Sequence, residues 1–407
     1  MTDIIRKTIQ SGHIVIWEEV ARDGAQAETL LSGKQRVKIA RAHAEIFGEH
    51  GPEHLIFAAG YPAIGREEYE IICQVADEVD NCSIATHGRV IKSDVDLGIE
   101  TMKRAKFGRV SFALPISDKH CQIMLHKTKE ETLAQAIEIA KYAVDKSDGI
   151  PIDVAFGVAS RVDPLFLAYA ATKLTEAGVA SIKISDSTGE LFPLEIQRIF
   201  QKVLENVSSD VVIAAHLHND CGLALANNLE AIRLGVRMVC SSWLGLGERV
   251  GLAATEQVLF ALAEGPDQLT ERLGIDTALW LSPPDLKRIT PIALEVSQSL
   301  GIPLKVTDPV ISTIMNHIAT GAYFNNPKAF KPFDPDEVLG VPPQLVLTHL
   351  SNHSIVEAVA NQLGYPLSKD HINDALKWVK SYAYEHNRSV VPTSEFKEFL
   401  VNVLVGV

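Results

Sequence analysis

Eight short apolar runs, each followed by a segment of helical periodicity, organise the first two thirds of the chain. The runs cover residues 13–20, 55–60, 83–86, 110–115, 152–156, 181–185, 211–216 and 238–242. Amphipathic segments follow at 34–47, 66–79, 94–105, 129–145, 164–177, 193–206, 222–234 and 255–263. In the first of these, Val37, Ile39, Ala40, Ala42, Ala44 and Ile46 supply the apolar positions. Eight strand–helix units with short connections specify a closed (βα)8 TIM barrel in preference to an open doubly wound sheet. A length of 407 residues accommodates one such barrel plus an appendage, and a 46% hydrophobic content supports its core.

The pattern changes after about residue 265. Pro283-Pro284 opens a helix that runs to residue 300, and Gly301-Ile302-Pro303 breaks it. A helix-like stretch at 310–320 precedes a loop at 322–335 rich in Asn, Pro and Phe. Helices over 343–363, 369–385 and 394–404 finish the chain. The expected division is a catalytic barrel, 1–270, and a helical C-terminal subdomain, 271–407, with no sheet of its own. No internal repeat or low-complexity tract is present.

A barrel sets a geometric test, because functional residues belong at the C-terminal ends of its strands. Arg22-Asp23 follow strand one, His87-Gly88-Arg89 strand three and Ser117-Asp118-Lys119-His120 strand four. Asp186-Ser187-Thr188 follow strand six, His216 and His218 end strand seven, and Gly245-Leu246-Gly247-Glu248-Arg249 follow strand eight. Polar and ionisable groups thus gather at one rim.

Residues two apart on a strand share a face, so His216 and His218 aim the same way and can both ligate one divalent metal. Fourteen His in 407 residues make about 0.5 such His-x-His pairs expected from composition, so the pair needs a third ligand. Asp23 supplies it. Two imidazoles and one carboxylate accept Mg²⁺, Mn²⁺, Zn²⁺, Co²⁺ or Fe²⁺ and leave positions open for a substrate. Arg22 beside the metal would polarise a ketone and stabilise the alkoxide that develops on attack. Singly, Asp23 reads as a turn carboxylate and Arg22 as a salt-bridge partner; their joint placement with the His pair favours the metal reading.

Other rim residues keep two readings. Ser187 and Thr188 bind a carboxylate or cap the next helix. Arg89, His87 and His120 hold an anionic group or serve as surface residues. The glycine-rich segment 245–251 is at least a tight loop closed by a Glu–Arg pair.

The net charge of −13 argues against a nucleic-acid binder and requires local positive charge for any anionic substrate. Five scattered Cys with no CxxC pair suit free thiols in a reducing cytosol, so a cytoplasmic location is expected. No apolar stretch reaches the ~18–20 residues of a membrane span, and the N-terminal residues carry no long apolar segment.

Three segments carry a resemblance. Arg22-Asp23-Gly24-Ala25-Gln26, the run from His216-Leu217-His218-Asn219-Asp220 to Asn227, and Gly245-Leu246-Gly247-Glu248-Arg249 resemble the three signatures of the DRE-TIM metallolyases, in the same order and across the whole barrel. Asn352-His353-Ser354 sits where the family's synthases carry a Gly-Lys-His-Ser-Gly segment. The resemblance implies the Claisen-condensation branch, with its isopropylmalate, citramalate and homocitrate synthases, which join acetyl-CoA to a 2-oxo acid. It implies Asp23, His216 and His218 as metal ligands (Mn²⁺ or Mg²⁺, with Zn²⁺ or Co²⁺ as substitutes). Arg22 would polarise the carbonyl and Ser187 would bind the carboxylate, with Gln26, His87, Arg89 and His120 around the substrate. A homodimer is implied as the active unit, with no control by leucine.

The departures are specific. Leu252 stands at the family's metal-proximal Asn, Ala58 at its strand-two Glu, and Gly157-Val158-Ala159-Ser160 where an acid follows strand five. The appendage's Ser-Gly-Ile-His segment reads His317-Ile318-Ala319-Thr320. The base that deprotonates acetyl-CoA therefore falls to His317, Tyr323 or His353, the Tyr ranking last because it needs a much lowered pKa. Fewer acids suit a more anionic acceptor. The wording of 17–26, 57–62 and 243–249 is most similar to the 2-phosphonomethylmalate and 2-phosphinomethylmalate synthases, whose acceptor is phosphonopyruvate or a phosphinic relative. An acyl-CoA lyase of the same superfamily is the alternative from another reaction class.

Overall fold

The computed structural model describes residues 3–265 and 268–405; Met1 and Thr2, part of the N-terminal segment read above, lie outside the described residues. The eight apolar runs form eight strands: β1 Val15–Glu18, β2 Leu55–Gly60, β3 Ser83–Arg89, β4 Gly108–Pro115, β5 Ile152–Gly157, β6 Ser181–Asp186, β7 Ile213–Leu217 and β8 Met238–Ser241. Each pairs in parallel with the next, and β8 pairs with β1, with Trp17 opposite Cys240, so the barrel closes. This is the TIM barrel the periodicity predicts.

Strand alternation decides what fills the barrel. Val15 and Trp17, Ile56 and Ala58, Ala85, Val212 and Ala214, and Met238 and Cys240 pack together as one buried cluster, and Ile5 joins them. The same parity carries inward from Trp17 to Glu19, from Ala85 to His87, from Ser181 through Lys183 to Ser187, and from Ala214 to His216 and His218. The filling is therefore apolar low in the barrel and polar at its C-terminal mouth. The opposite end is held by ions: buried Arg109 pairs with Asp153 at 2.8 Å and with Asp3 at 2.6 Å.

The barrel helices start where their caps allow. Ser32 and Thr128 each form a capping box, with Gln35 and Glu131, ahead of helices Gly33–Ala44 and Lys129–Lys146. Residues 118–120, expected in a rim loop after strand four, instead open a helix, Asp118–Leu125. Ser117 Oγ accepts the His120 N–H and starts it.

The chain folds as two compact units, one through Leu304 with Pro309–Ile311, the other comprising Lys305–Asp308 and the chain from Ser312. The barrel's unit extends past residue 270 because later residues pack onto it. Trp280 stacks on Phe47 at 5.4 Å, and the Leu281 N–H donates to His54 Nε2 at 3.0 Å. Helix Ile289–Leu300 ends at Gly301, whose φ of +67° suits glycine.

The second unit corrects several expectations. It has two small sheets of its own: β9 His317–Ile318 parallel with β10 Gln344–Leu345, and β11 Leu347–Thr348 antiparallel with β12 Val390–Val391. Residues 310–320 are turns and β9, not a helix. Their polar groups bond across the chain: the buried Asn316 side chain donates to Val341 O, and the Asn316 backbone carbonyl accepts from Gln344 N–H. Residues 343–351 hold the short strands β10 and β11 and a turn at His349-Leu350, not a helix, since Pro342-Pro343 open the stretch and Asn352 caps the helix only at His353. The loop at 322–335 contains short helices Gly321–Asn325 and Pro327–Phe330, and Pro335 begins another, Pro335–Leu339. Helices Lys369–Glu385 and Thr393–Val405 appear as read, packed through Val379, Phe396 and Leu400, with Trp378 stacked on Phe399 at 4.6 Å.

Candidate active site

At the barrel mouth, β7 delivers His216 and the residue after its end, His218, onto one face. Their Nε2 atoms lie 3.2 Å apart, and both rings are buried. Asp23 enters from the turn after β1, its Oδ2 3.7 Å from His216 Nε2. One ligand atom from each of the three falls within 4.8 Å of the others. Two ring nitrogens that face each other with a carboxylate beside them suit a divalent cation better than they suit each other. The donor set therefore fits the expected metal.

The glycine-rich loop after β8 presses on this carboxylate. The Glu248 N–H donates to Asp23 Oδ1 at 2.9 Å. A Cβ on Gly247 would stand 2.8 Å from Asp23 Oδ1, so glycine is needed there for close approach. Gly251 (φ +80°) leaves no room either, a Cβ falling 1.9 Å from Gly245 O. Arg249 clamps the loop, bonding both oxygens of Asp220 at 2.8 and 3.0 Å, with Glu248 3.2 Å away. The loop is tight and closed by its Glu–Arg pair, as read, and it also fixes the Asp23 carboxylate. Leu252, fully buried, pairs its backbone with His218.

Arg22 is held on two sides. Its Nε and Nη2 donate to Glu19 at 2.8 and 3.2 Å, and Nη1 lies 2.9 Å from Asp23 Oδ2. A guanidinium has five N–H groups, so donors remain for a substrate oxygen. Burial works against the Asp23 charge, but Arg22, His216, His218 and the Glu248 N–H outweigh it and hold the carboxyl down at about 2. Burial, then the charges of His218, Arg22 and Lys183, keeps His216 well below the usual imidazole range. Burial, Arg22 and Lys183 do the same to His87, which points inward against Tyr61 at a ring distance of 6.0 Å. His87 is thus a neutral polar group at the mouth, not a cation.

The remaining residues divide. Ser187 Oγ accepts the Val158 N–H at 2.9 Å and keeps its own O–H to donate. Thr188 bonds Asp186 at 3.2 Å, which gives it a local structural role. Arg89 is neutralised by Asp94 at 2.9 and 3.1 Å, its side chain 63% exposed. His120 Nδ1 lies 3.2 Å from Ser117 Oγ on its own helix. Gln26 is exposed in the turn Gly24–Ala27. His317, Tyr323 and His353 belong to the second unit. There, burial and then the Asp334 charge raise the Tyr323 phenol, opposite to what a base requires. His353 is exposed, with Nε2 2.8 Å from Asn373 Oδ1. His317 is half-buried on β9.

Two inward residues escaped the sequence reading. Glu19, buried beside Arg22, has Oε1 3.7 Å from His216 Nδ1. Lys183 is buried below the mouth with its Nζ 3.2 Å over the Trp17 ring and no hydrogen-bond partner. Strand parity was the available signal for both.

The HMGL-like family pattern matches residues 13–292, from just before β1 past β8 to the first turn of helix Ile289–Leu300. The chain belongs to the HMGL-like family. It is 30% identical over 377 residues to the 2-isopropylmalate synthase 1 of Caldanaerobacter subterraneus subsp. tengcongensis, with 91% of each chain covered. Against a homocitrate synthase of Sulfolobus acidocaldarius it is 28% identical, covering 90% of this chain and 74% of that one. Among solved structures, an HMG-CoA lyase from Bacillus subtilis superposes with a TM-score of 0.58 at 17% identity, over 74% of this chain and 97% of that one, a likeness of fold. In the HMGL-like frame, Asp23, His216 and His218 fall at strand ends, where barrel chemistry is sited.

Proposed function

We propose that this protein condenses acetyl-CoA with a 2-oxo acid and releases CoA, and that the acid is phosphonopyruvate, giving 2-phosphonomethylmalate. One observation carries the reaction class: Asp23, His216 and His218 converge beside Arg22 in the mouth of an HMGL-like barrel. The synthase names of the relatives agree with it. Asp23, His216 and His218 hold a divalent cation such as Mn²⁺ or Mg²⁺, which supplies Lewis acidity toward the ketone. Arg22 directs its spare N–H groups at the same carbonyl oxygen, where negative charge develops during attack. The Ser187 hydroxyl donates to the acceptor's carboxylate. A base takes a methyl proton from acetyl-CoA, the resulting carbanion attacks the ketone carbon, and water cleaves the thioester. Of the candidates for this base, Tyr323 is disfavoured, because its phenol is raised.

The absence of acids at Ala58 and at 157–160, together with the buried cation Lys183, supports a doubly anionic acceptor. A charge-assisted hydrogen bond to such a group contributes about 1.5–3 kcal/mol. The name of the 30%-identical relative favours a second reading, an isopropylmalate-type acceptor.

The test is CoA-thiol release from acetyl-CoA with Mn²⁺, across phosphonopyruvate, oxaloacetate, pyruvate, 2-oxoglutarate and 2-oxoisovalerate. Release fastest with phosphonopyruvate, and lost in Asp23→Asn, is expected. Release only with 2-oxoisovalerate replaces the acceptor and keeps the chemistry. No release with any acceptor, together with cleavage of a 3-hydroxyacyl-CoA, replaces the condensation with a lyase.

A further inference from the structure

Glu19 occupies an unusual place. It extends the inward parity of Val15 and Trp17 by one step, and it is fully buried. A carboxylate there is costly unless its oxygens are used. One oxygen accepts from Arg22 Nε at 2.8 Å. The other accepts from Arg22 Nη2 at 3.2 Å and lies 3.7 Å from His216 Nδ1. The opposite ring nitrogen of His216 is the one that meets His218 Nε2 and Asp23. His218 has no such backing: its Nδ1 is buried without a partner.

We infer that Glu19 is a positioning residue that ties Arg22 and His216 into one unit, holding the proton of His216 on Nδ1 and leaving Nε2 free to ligate. The inference rests on the metal-site reading above. The 3.7 Å separation is an ion-pair distance rather than a hydrogen bond, and the carboxylate charge favours the proton on the ring nitrogen that faces it. A ligating His whose other nitrogen meets a carboxylate has its tautomer and ring orientation set by that carboxylate. Here the same carboxylate also fixes the guanidinium expected to face the substrate, so the two groups cannot shift independently. Asp23 meets the same two residues, but through Arg22 Nη1 and the opposite ring nitrogen of His216, so Glu19 is the carboxylate on the Nδ1 side. Glu18, its neighbour on β1, points away and accepts from the backbone N–H groups of Val20 and Trp243.

The experiment uses the full chain and Mn²⁺ alone as probe. Glu19→Gln keeps the shape, but its amide presents an NH2 to one of two donors. Mn²⁺ affinity, from the signal of free Mn²⁺ in paramagnetic resonance, is expected to fall by ~10- to 100-fold. Glu18→Gln, equally buried, is expected to change it less than twofold. In metal-free protein, the ¹⁵N shifts of the His216 ring should report Nδ1–H in the wild type and a mixture of tautomers in Glu19→Gln. If Glu19→Gln does not fold, Glu19→Asp, which keeps the charge and shortens the reach, should show the same losses. Unchanged Mn²⁺ affinity with an unchanged tautomer overturns the inference. A wild type that binds no Mn²⁺ overturns the metal-site reading instead, and the tautomer measurement, which needs no metal, still decides the role of Glu19.

Discussion

His216 Nε2 and His218 Nε2 stand 3.2 Å apart in the barrel mouth, with Asp23 Oδ2 3.7 Å from the first. Strand alternation brings the two rings together, and a turn 193 positions earlier in the chain brings the carboxylate. The Asp23→Asn variant keeps the volume and removes the charge. It is expected to weaken Mn²⁺ binding by more than ~100-fold, beyond the range typical of an outer-sphere partner. Calorimetric titration with Mn²⁺ checks this; wild-type affinity in the variant removes Asp23 from the ligand set.

Gly247→Ala tests the loop after β8 as a positioning device. Its Cβ would sit 2.8 Å from Asp23 Oδ1 and 2.9 Å from Gly251 Cα. Overpacking of this kind costs about 1–3 kcal/mol. The variant should lose stability in urea by that amount and bind Mn²⁺ more weakly. A loss of stability with Mn²⁺ affinity intact would confine the glycine to the fold of its loop.

His54 makes the barrel's stability depend on pH. Nδ1 lies 2.7 Å from Ile14 O, and Nε2 accepts the Leu281 N–H at 3.0 Å, so the neutral ring satisfies both neighbours. Burial holds the folded-state value down at about 4, against about 6.5 in the unfolded chain. Between those values the unfolded state binds more protons, so the contribution is complete above pH 6.5 and is lost as pH falls toward 4. From pH 7 to pH 5 the loss from this group is about 2 kcal/mol. Urea unfolding at both pH values, compared with His54→Gln, should show a smaller change in the variant by that margin. An equal change in both proteins rejects the assignment.

Lys183→Met replaces a buried cation that has no hydrogen-bond partner and whose pKa burial lowers. A volume-matched apolar side chain should pack on Trp17 and raise stability by about 1–3 kcal/mol, the sign expected when a buried charge gives way to a hydrophobe. On the proposed function, kcat/KM for phosphonopyruvate should fall more than that for pyruvate. Denaturant midpoints and the two rate ratios read both effects; a destabilised variant with an unchanged ratio would make Lys183 a packing residue only.

The strands of the barrel were legible because their information is local. Apolar runs such as 55–60 and 181–185 end at Gly, Pro or charged residues, and these correspond to β2 and β6 within a residue. The His216/His218 pair and Arg22-Asp23 were legible for the same reason, each being a short motif at a strand end. Glu19 and Lys183 were not, since a charged residue in an apolar run reads as an exception until the lumen is built. Arg89 was legible as a cation but not as one already neutralised by Asp94, a partner a helix turn away. The second unit was the least legible. Its short strands β9 to β12 pair residues 27 to 44 positions apart, and a two-residue strand has no period to detect. Sequence by itself determined the number of strand–helix units and the alternation of side chains within each strand, because pleat and helical repeat are properties of neighbouring residues. Tertiary structure alone decided which inward groups meet: Asp23 with His216, Glu19 with both Arg22 and His216, and Lys183 with Trp17. Those contacts depend on the curvature that closes β8 onto β1, a distance no local pattern records.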